Sequence, residues 1–233
     1  MTESDGVPAE RHSRAAEAEI IRNPELKAEA EALNGLRQYD LAVRMAQDGI
    51  ERGAGYRLRP SHVLSLHREA LNGISSFAGN YRPAQVEIEG SKHVPVGAHQ
   101  VAELVEDLCD YVNDKWDTAT ALHLAAYCMW RLNWIHPFAD GNGRTSRALS
   151  FLVLCVKTGA VLGGAPTIPD QITNNRSPYF DALDAADAAW KEERVDVARM
   201  EGLLESLLAR QLTRLFEMAG GKPGSDDRAP YTD

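Results

Sequence analysis

Two stretches of this chain are apolar almost all the way round a helix: "TATALHLAAYCMWRLNWI", residues 118–135, and "RTSRALSFLVLCVKTG", residues 144–159. A helix without a polar face has to be surrounded by other elements. At 233 residues the chain is long enough to build that surround as one domain with its own core. "AHQVAELVEDLCDYVND" carries Val101, Leu104, Val105 and Leu108 on one stripe. "RPSHVLSLHREALNGI" opens with a capping-type Ser61 and presents Val63, Leu64, Leu66 and Leu71. "AEAEIIRNPELKAEAEALNGLRQYDLAVRMAQDGI" consists of strong helix formers, with breaks predicted near Asn23-Pro24 and Asn34-Gly35. "SPYFDALDAADAAW" and "RVDVARMEGLLESLLARQLTRLF" complete the set. The prediction is an all-α single domain. One stretch departs from it: "RPAQVEIEGSKHVPV" alternates and then turns at Gly-Ser, the pattern of a small surface β-hairpin.

The expected organisation is a disordered 1–12, an N-terminal helical segment over 13–58, a core domain over 59–218 and a disordered tail over 219–233. A net charge of −9 argues against bulk affinity for nucleic acid or an anionic membrane. No apolar run is long enough to span a bilayer, and the first residues lack a secretory apolar stretch, so a cytoplasmic protein is expected. Cys109, Cys128 and Cys155 are scattered among apolar helical stretches and form neither a disulfide framework nor a metal-ligand pattern.

Between the two apolar helices lies "HPFADGNGRTSR", residues 136–147. The first helix should end at His136-Pro137, because a residue before proline is pushed out of helical geometry. The second is predicted to begin just after Gly143. Its N-terminus offers unsatisfied N–H groups and the positive end of the helix dipole, and glycines let that backbone approach an anion closely. Arg144 and Arg147, three apart, can both reach the same anion. That supplies the local positive field which a chain of charge −9 needs for a phosphate-rich ligand. Asp140 beside phosphates makes sense with a cation between them, and Mg²⁺ suits that role. His136 is the residue of the loop that accepts a proton near neutral pH. A base, a metal carboxylate and an anion cradle together describe phosphoryl or nucleotidyl transfer to a hydroxyl. Each part alone is commonly structural; their coincidence at one helix start is hard to explain as packing. Phe138 reads as a hydrophobic anchor of the loop.

At every specified position this stretch resembles the signature of the Fic family, His-x-Phe-x-Asp/Glu-Gly-Asn-Gly-Arg-x-x-Arg. The resemblance runs over roughly residues 60–210. It takes in an Ala-Gly-x-Tyr-Arg element at 78–82, a flap in "RPAQVEIEGSKHVPV" and the downstream "RSPYFDALDAADAAW". It implies a helical enzyme that moves AMP from ATP to a Ser, Thr or Tyr hydroxyl of a protein and releases pyrophosphate. His136 is then the base and Asp140 the Mg²⁺ carboxylate. Gly141, Asn142 and Gly143 form the anion nest, and Arg144 and Arg147 hold the outer phosphates. The flap, comprising Val86, Glu87, Ile88, Glu89, Gly90, Ser91, Lys92 and His93, aligns the target by strand addition. Asn174, Asn175 and Tyr179 fall where the family contacts adenine. Family members that phosphorylate carry a lysine at the position of Gly143, so its retention favours adenylylation. The alternatives are removal of AMP, another nucleotide or phosphate transfer at the same site, and a non-catalytic nucleotide-responsive binding protein.

Many members restrain themselves with a helix carrying Ser/Thr-x-x-x-Glu-Gly/Asn. The segment that lines up best, "AEAEALNG", has Ala30 and Asn34 at the polar positions. Ser13 with Glu17, and Glu201 with Val197 in place of the hydroxyl, are incomplete matches. The resemblance therefore implies weak autoinhibition, or inhibition by a separate protein. A homodimer through the amphipathic C-terminal helix is left open.

Overall fold

The chain is described by a computed structural model covering residues 13, 14 and 19–221, the first two by backbone alone. The polar ends 1–12 and 222–233 lie outside the described residues, as does Glu17. Eight α-helices account for nearly all the regular structure among the described residues: α1 Pro24–Arg52, α2 Pro60–Leu71, α3 Val101–Asp114, α4 Ala121–Ile135, α5 Asn142–Thr158, α6 Ile168–Asn174, α7 Ser177–Trp190 and α8 Ala198–Met218. The all-α reading stands.

Helices α4 and α5 are the two all-round apolar segments, and they form the most extensive helix pair of the fold. α1 and α2 cover α5, while α3, α7 and α8 cover α4. Trp130, Leu132, Ile135, Leu149 and Leu152 are fully buried between them. Thr120 caps α4 by accepting the His123 N–H at 3.0 Å. Gly159 ends α5 in the left-handed region at φ 73°. All three cysteines are buried, and burial pushes the Cys109 thiol up to about 12 and the Cys155 thiol up to about 11.

Three local expectations are corrected. α1 starts where predicted, with the Asn23 side chain accepting from the N–H groups of Glu25 and Leu26, but it runs unbroken through Asn34-Gly35. Asn34 is buried there and donates to the Asn72 carbonyl at 2.7 Å, so this turn-type residue pins α1 to the end of α2. α2 is capped not by Ser61 but two residues earlier, with Arg59 at the cap, Pro60 in the first turn and His62 Nδ1 accepting the Arg59 N–H. The flap is not a self-paired hairpin. Its strand β2, Glu87–Ile88, pairs antiparallel with β1, Ser13–Arg14, in the register Ser13↔Ile88 and Arg14↔Glu87. The N-terminal segment touches down again where Ile20 N–H donates to the Ile74 carbonyl at 2.8 Å.

An aromatic cluster closes one side of α4. The Arg131 guanidinium lies 4.2 Å from the Trp134 ring centre and 4.4 Å from that of Trp190, and its Nε and Nη1 have no hydrogen-bond partner among the described residues.

Candidate active site

The connection between α4 and α5 is where the two central helices stop satisfying each other. α4 ends because His136 adopts a left-handed conformation, φ 52° and ψ 59°, its N–H still donating to the Leu132 carbonyl. The turn presses its imidazole into the core, where it is only 6% exposed. Nδ1 lies 3.2 Å from the Asn133 carbonyl. A carbonyl only accepts, so Nδ1 carries the hydrogen and Nε2 the lone pair. Burial pushes the His136 pKa down to about 4, partly opposed by that backbone hydrogen bond. The side chain is therefore a neutral base at pH 7, in one tautomer.

Phe138 is fully buried, as expected of an anchor, and stacks on His67 with ring centres 3.6 Å apart. Asn142 uses both ends of its amide on Phe138, accepting from its N–H and donating to its carbonyl, each at 2.9 Å. The Asn142 side chain thus pins the loop. Asp140 accepts from the Gly141 N–H and meets the Arg144 guanidinium at 3.1 Å. Gly141 sits at φ 78°, and a Cβ there would lie 2.3 Å from Leu71 Cδ2, so position 141 needs glycine on two counts.

The helix start differs slightly from the prediction. α5 begins at Asn142, with Gly141 as its cap, so Gly143 lies within the first turn. The first-turn N–H groups have no intrahelical acceptor, and they point with the positive end of the dipole toward the loop. A Cβ on Gly143 would come within 3.1 Å of the Arg147 guanidinium, so the glycine keeps that side chain's path open.

These groups border one cavity of about 540 Å³. Its wall brings together His136, Asp140, Gly141, Asn142, Gly143, Arg144 and Arg147 from the motif, Ile88 and His93 from the flap, and Tyr179 from α7. Tyr179 is buried, hydrogen-bonds Arg147, and has Asn133 Nδ2 2.9 Å from its hydroxyl, which ties α4, α5 and α7 at one point. Ile172, Phe180 and Leu183 make a neighbouring stretch of wall apolar. Asn174 and Asn175 are exposed at the end of α6 and do not line the cavity, nor do Val86, Glu87, Glu89, Gly90, Ser91 and Lys92 of the flap.

Four residues outside the motif and the flap also contribute to the site. Arg82, the last residue of the Ala-Gly-x-Tyr-Arg element, is buried and donates from Nε to the His136 carbonyl at 2.8 Å. His67 has Nε2 3.0 Å from the Asp140 carbonyl, while its Nδ1 accepts the Gly79 N–H. Burial pushes its pKa down to about 4. Glu31 and Lys27 reach the cavity from α1, and Glu31 pairs with Arg144 at 3.2 Å. The Glu31–Arg144 contact lies one turn before Asn34, on the face of α1 that points into the cavity. Glu201 sits elsewhere, 2.8 Å from His123 Nδ1 and outside the cavity wall.

A carboxylate, a helix N-terminus and two guanidiniums about an open cavity can hold a polyphosphate. Among the described residues no group of three or more His, Cys, Asp or Glu could hold a metal alone, so a cation here takes most of its oxygens from a ligand and water.

Residues 57–154 match the Fic/DOC family. The protein adenylyltransferase Fic of Drosophila willistoni is 35% identical over 128 residues, 53% of this chain and 24% of that protein. The protein adenylyltransferase fic-1 of Caenorhabditis briggsae is 32% identical over 149 residues, 63% of this chain and 28% of its own. The chain thus spans about a quarter of the length of these relatives. A Fic domain-containing signalling protein from Bacteroides thetaiotaomicron superposes with a TM-score of 0.68 at 23% identity, covering 88% of this chain and 78% of that one. This last likeness concerns the fold.

Proposed function

We propose, for a chain whose residues 57–154 form a Fic/DOC-family domain, that it transfers AMP from ATP to a Ser, Thr or Tyr hydroxyl of a target protein and releases pyrophosphate. One observation carries the reading: a base held neutral and in one tautomer stands on the same cavity wall as the N-terminus of α5 with Arg144 and Arg147. His136 Nε2 takes the hydroxyl proton as the target oxygen forms its bond to the α-phosphorus and the bond to the pyrophosphate oxygen breaks. Charge growing on the leaving pyrophosphate is met by Arg144, Arg147 and the first-turn N–H groups of α5. Asp140 fits the role of the one protein carboxylate on Mg²⁺, which supplies charge neutralisation between phosphates when bound. Tyr179 and the apolar wall beside it suit the adenosine, with Asn174 and Asn175, off the wall at the end of α6, as further contacts to it.

Residues 86–93 present target backbone to the base, and 59–218 with the preceding helical segment act as one catalytic unit. A cytoplasmic site of action, a separate inhibitory protein and a homodimer belong to the same reading; no helix among the described residues is long and apolar enough to cross a membrane. Exposed Leu215, Phe216 and Met218 at the end of α8 support a partner there.

The test uses purified protein, Mg²⁺ and ATP labelled at the α- or the γ-phosphate in a host lysate, beside His136→Ala. Protein-bound label from α-labelled ATP alone, lost in the variant, is the expected result. Label from the γ-phosphate makes the protein a kinase. No label with ATP still bound makes it a nucleotide-responsive binding protein.

A further inference from the structure

The flap is tied to the rest of the site through one side chain. From β2 the chain turns at Gly90, φ 74°, with the Ser91 N–H on the Ile88 carbonyl and the His93 N–H on Ser91 Oγ, both at 3.2 Å. This short, internally bonded path leads from the strand to His93, whose ring enters the cavity wall. Its Nε2 lies 2.7 Å from the Trp134 carbonyl. That carbonyl is in the last turn of α4, two residues before His136, among those a helix leaves without an intrahelical donor. Because a carbonyl only accepts, Nε2 carries the hydrogen. On the other side of the ring, Nδ1 faces Asp187 Oδ2 of α7 at 3.6 Å, and Asp187 Oδ1 accepts from Trp130 Nε1 at 2.8 Å. The ring leans on Trp134, with ring centres 5.8 Å apart.

Nε2 of His93 is thus a committed donor, and Nδ1 is turned toward the Asp187 carboxylate. A second base is not what this arrangement builds. It joins three parts, namely the flap, the C-terminal turn of α4 that holds the catalytic base, and α7. An imidazole suits the place because it donates to a helix C-terminal carbonyl, where any positive charge is also favoured by the dipole, while its second nitrogen addresses a carboxylate.

We infer that His93 is a positioning residue, a latch that fixes the flap to the helix end bearing His136 so that a segment docked on the flap arrives in register with the base. The consequence for catalysis rests on the transferase reading; the latch does not, and it can be measured without turnover. Hydrogen–deuterium exchange of residues 86–93 would be compared in the full chain, His93→Ala and His93→Gln, each with a thermal melt and a titration with a non-hydrolysable ATP analogue and Mg²⁺. Loss of the latch is expected to raise flap exchange about fivefold, on the scale of one net hydrogen bond. Glutamine, which keeps a donor within reach of Trp134, restores most of the protection, and analogue affinity and the exchange of residues 142–147 stay at the wild-type level. Unchanged flap exchange in His93→Ala, or a glutamine variant as unprotected as alanine, overturns the latch. Target labelling from α-labelled ATP should fall in His93→Ala and recover in His93→Gln. If the wild type labels nothing while the exchange pattern holds, the transferase reading falls and the latch stands.

Discussion

The motif loop, residues 136–147, and the flap, residues 86–93, which reaches the same cavity through Ile88 and His93, are held in opposite ways. In the motif loop, many of the fixing contacts fall within the segment: Asn142 on Phe138, Asp140 on Gly141 and Arg144, Ser146 on the Gly143 carbonyl. The two largely buried central helices clamp its ends. The flap has a two-residue strand, a glycine turn and contacts to distant parts of the chain, at Ser13–Arg14, Trp134 and Asp187. The loop is held in one geometry largely by its own residues. The flap is a bracket whose position is set from outside, which agrees with the proposal that it accepts a backbone from another protein.

If that contrast is right, damage to the loop should abolish chemistry and damage to the flap should loosen docking. His136→Ala is the largest effect expected: transfer rates fall about 10²- to 10⁴-fold with analogue affinity retained, measured by initial rates of label incorporation and by calorimetry. Gly141→Ala follows. Its Cβ meets Leu71 in a backbone conformation that alanine resists, so denaturant unfolding should show a loss of about 1–3 kcal/mol. A fully stable Gly141→Ala protein would show that the loop is less constrained than described.

The buried histidines of the loop region give a pH signature. His136 and His67 are held down to about 4 when folded but titrate near 6.5 when exposed. Between these values the unfolded chain binds more protons, so stability is complete above about pH 6.5 and declines as pH falls toward 4. Melting temperatures across that range should show the decline, and it should be shallower in His67→Gln.

Smaller effects sharpen the other side. Deleting residues 1–18 uncovers the outer edge of Glu87–Ile88, and exchange there should rise about fivefold while residues 136–147 stay protected. Equal loosening of both regions would dissolve the distinction. Smallest is Glu31→Ala, which relieves Arg144 of one half-exposed carboxylate and should tighten Mg²⁺–ATP analogue binding by no more than about fivefold.

The same contrast explains what could be read from the amino-acid order. The loop was legible because its determinants are sequence-local: a proline stop, a glycine cap and arginines one turn apart all act within twelve residues. The central helices were legible because they lack a polar face. Sequence and structure part where a distant partner overrides a local preference. Asn34 looks like a break until the Asn72 carbonyl is opposite it. The flap looks like a hairpin until Ser13–Arg14 is brought alongside. Glu31 and His67 carry no local mark, since a glutamate on a helix and a histidine on an apolar face are ordinarily solvent charge and core. Arg82 did carry one, within the Ala-Gly-x-Tyr-Arg element, although its task of holding the His136 carbonyl needs the fold to be seen.

Three of the chain's four tryptophans share one cluster around Arg131: Trp130, Trp134 and Trp190. Trp134 also forms part of the cavity wall, while Trp116 packs separately against Tyr56. The molecule thus carries its own optical probe. Indole emission, with no label attached, is coupled to whatever enters the cavity or lifts His93 from the Trp134 ring, so occupancy can be followed in a cuvette.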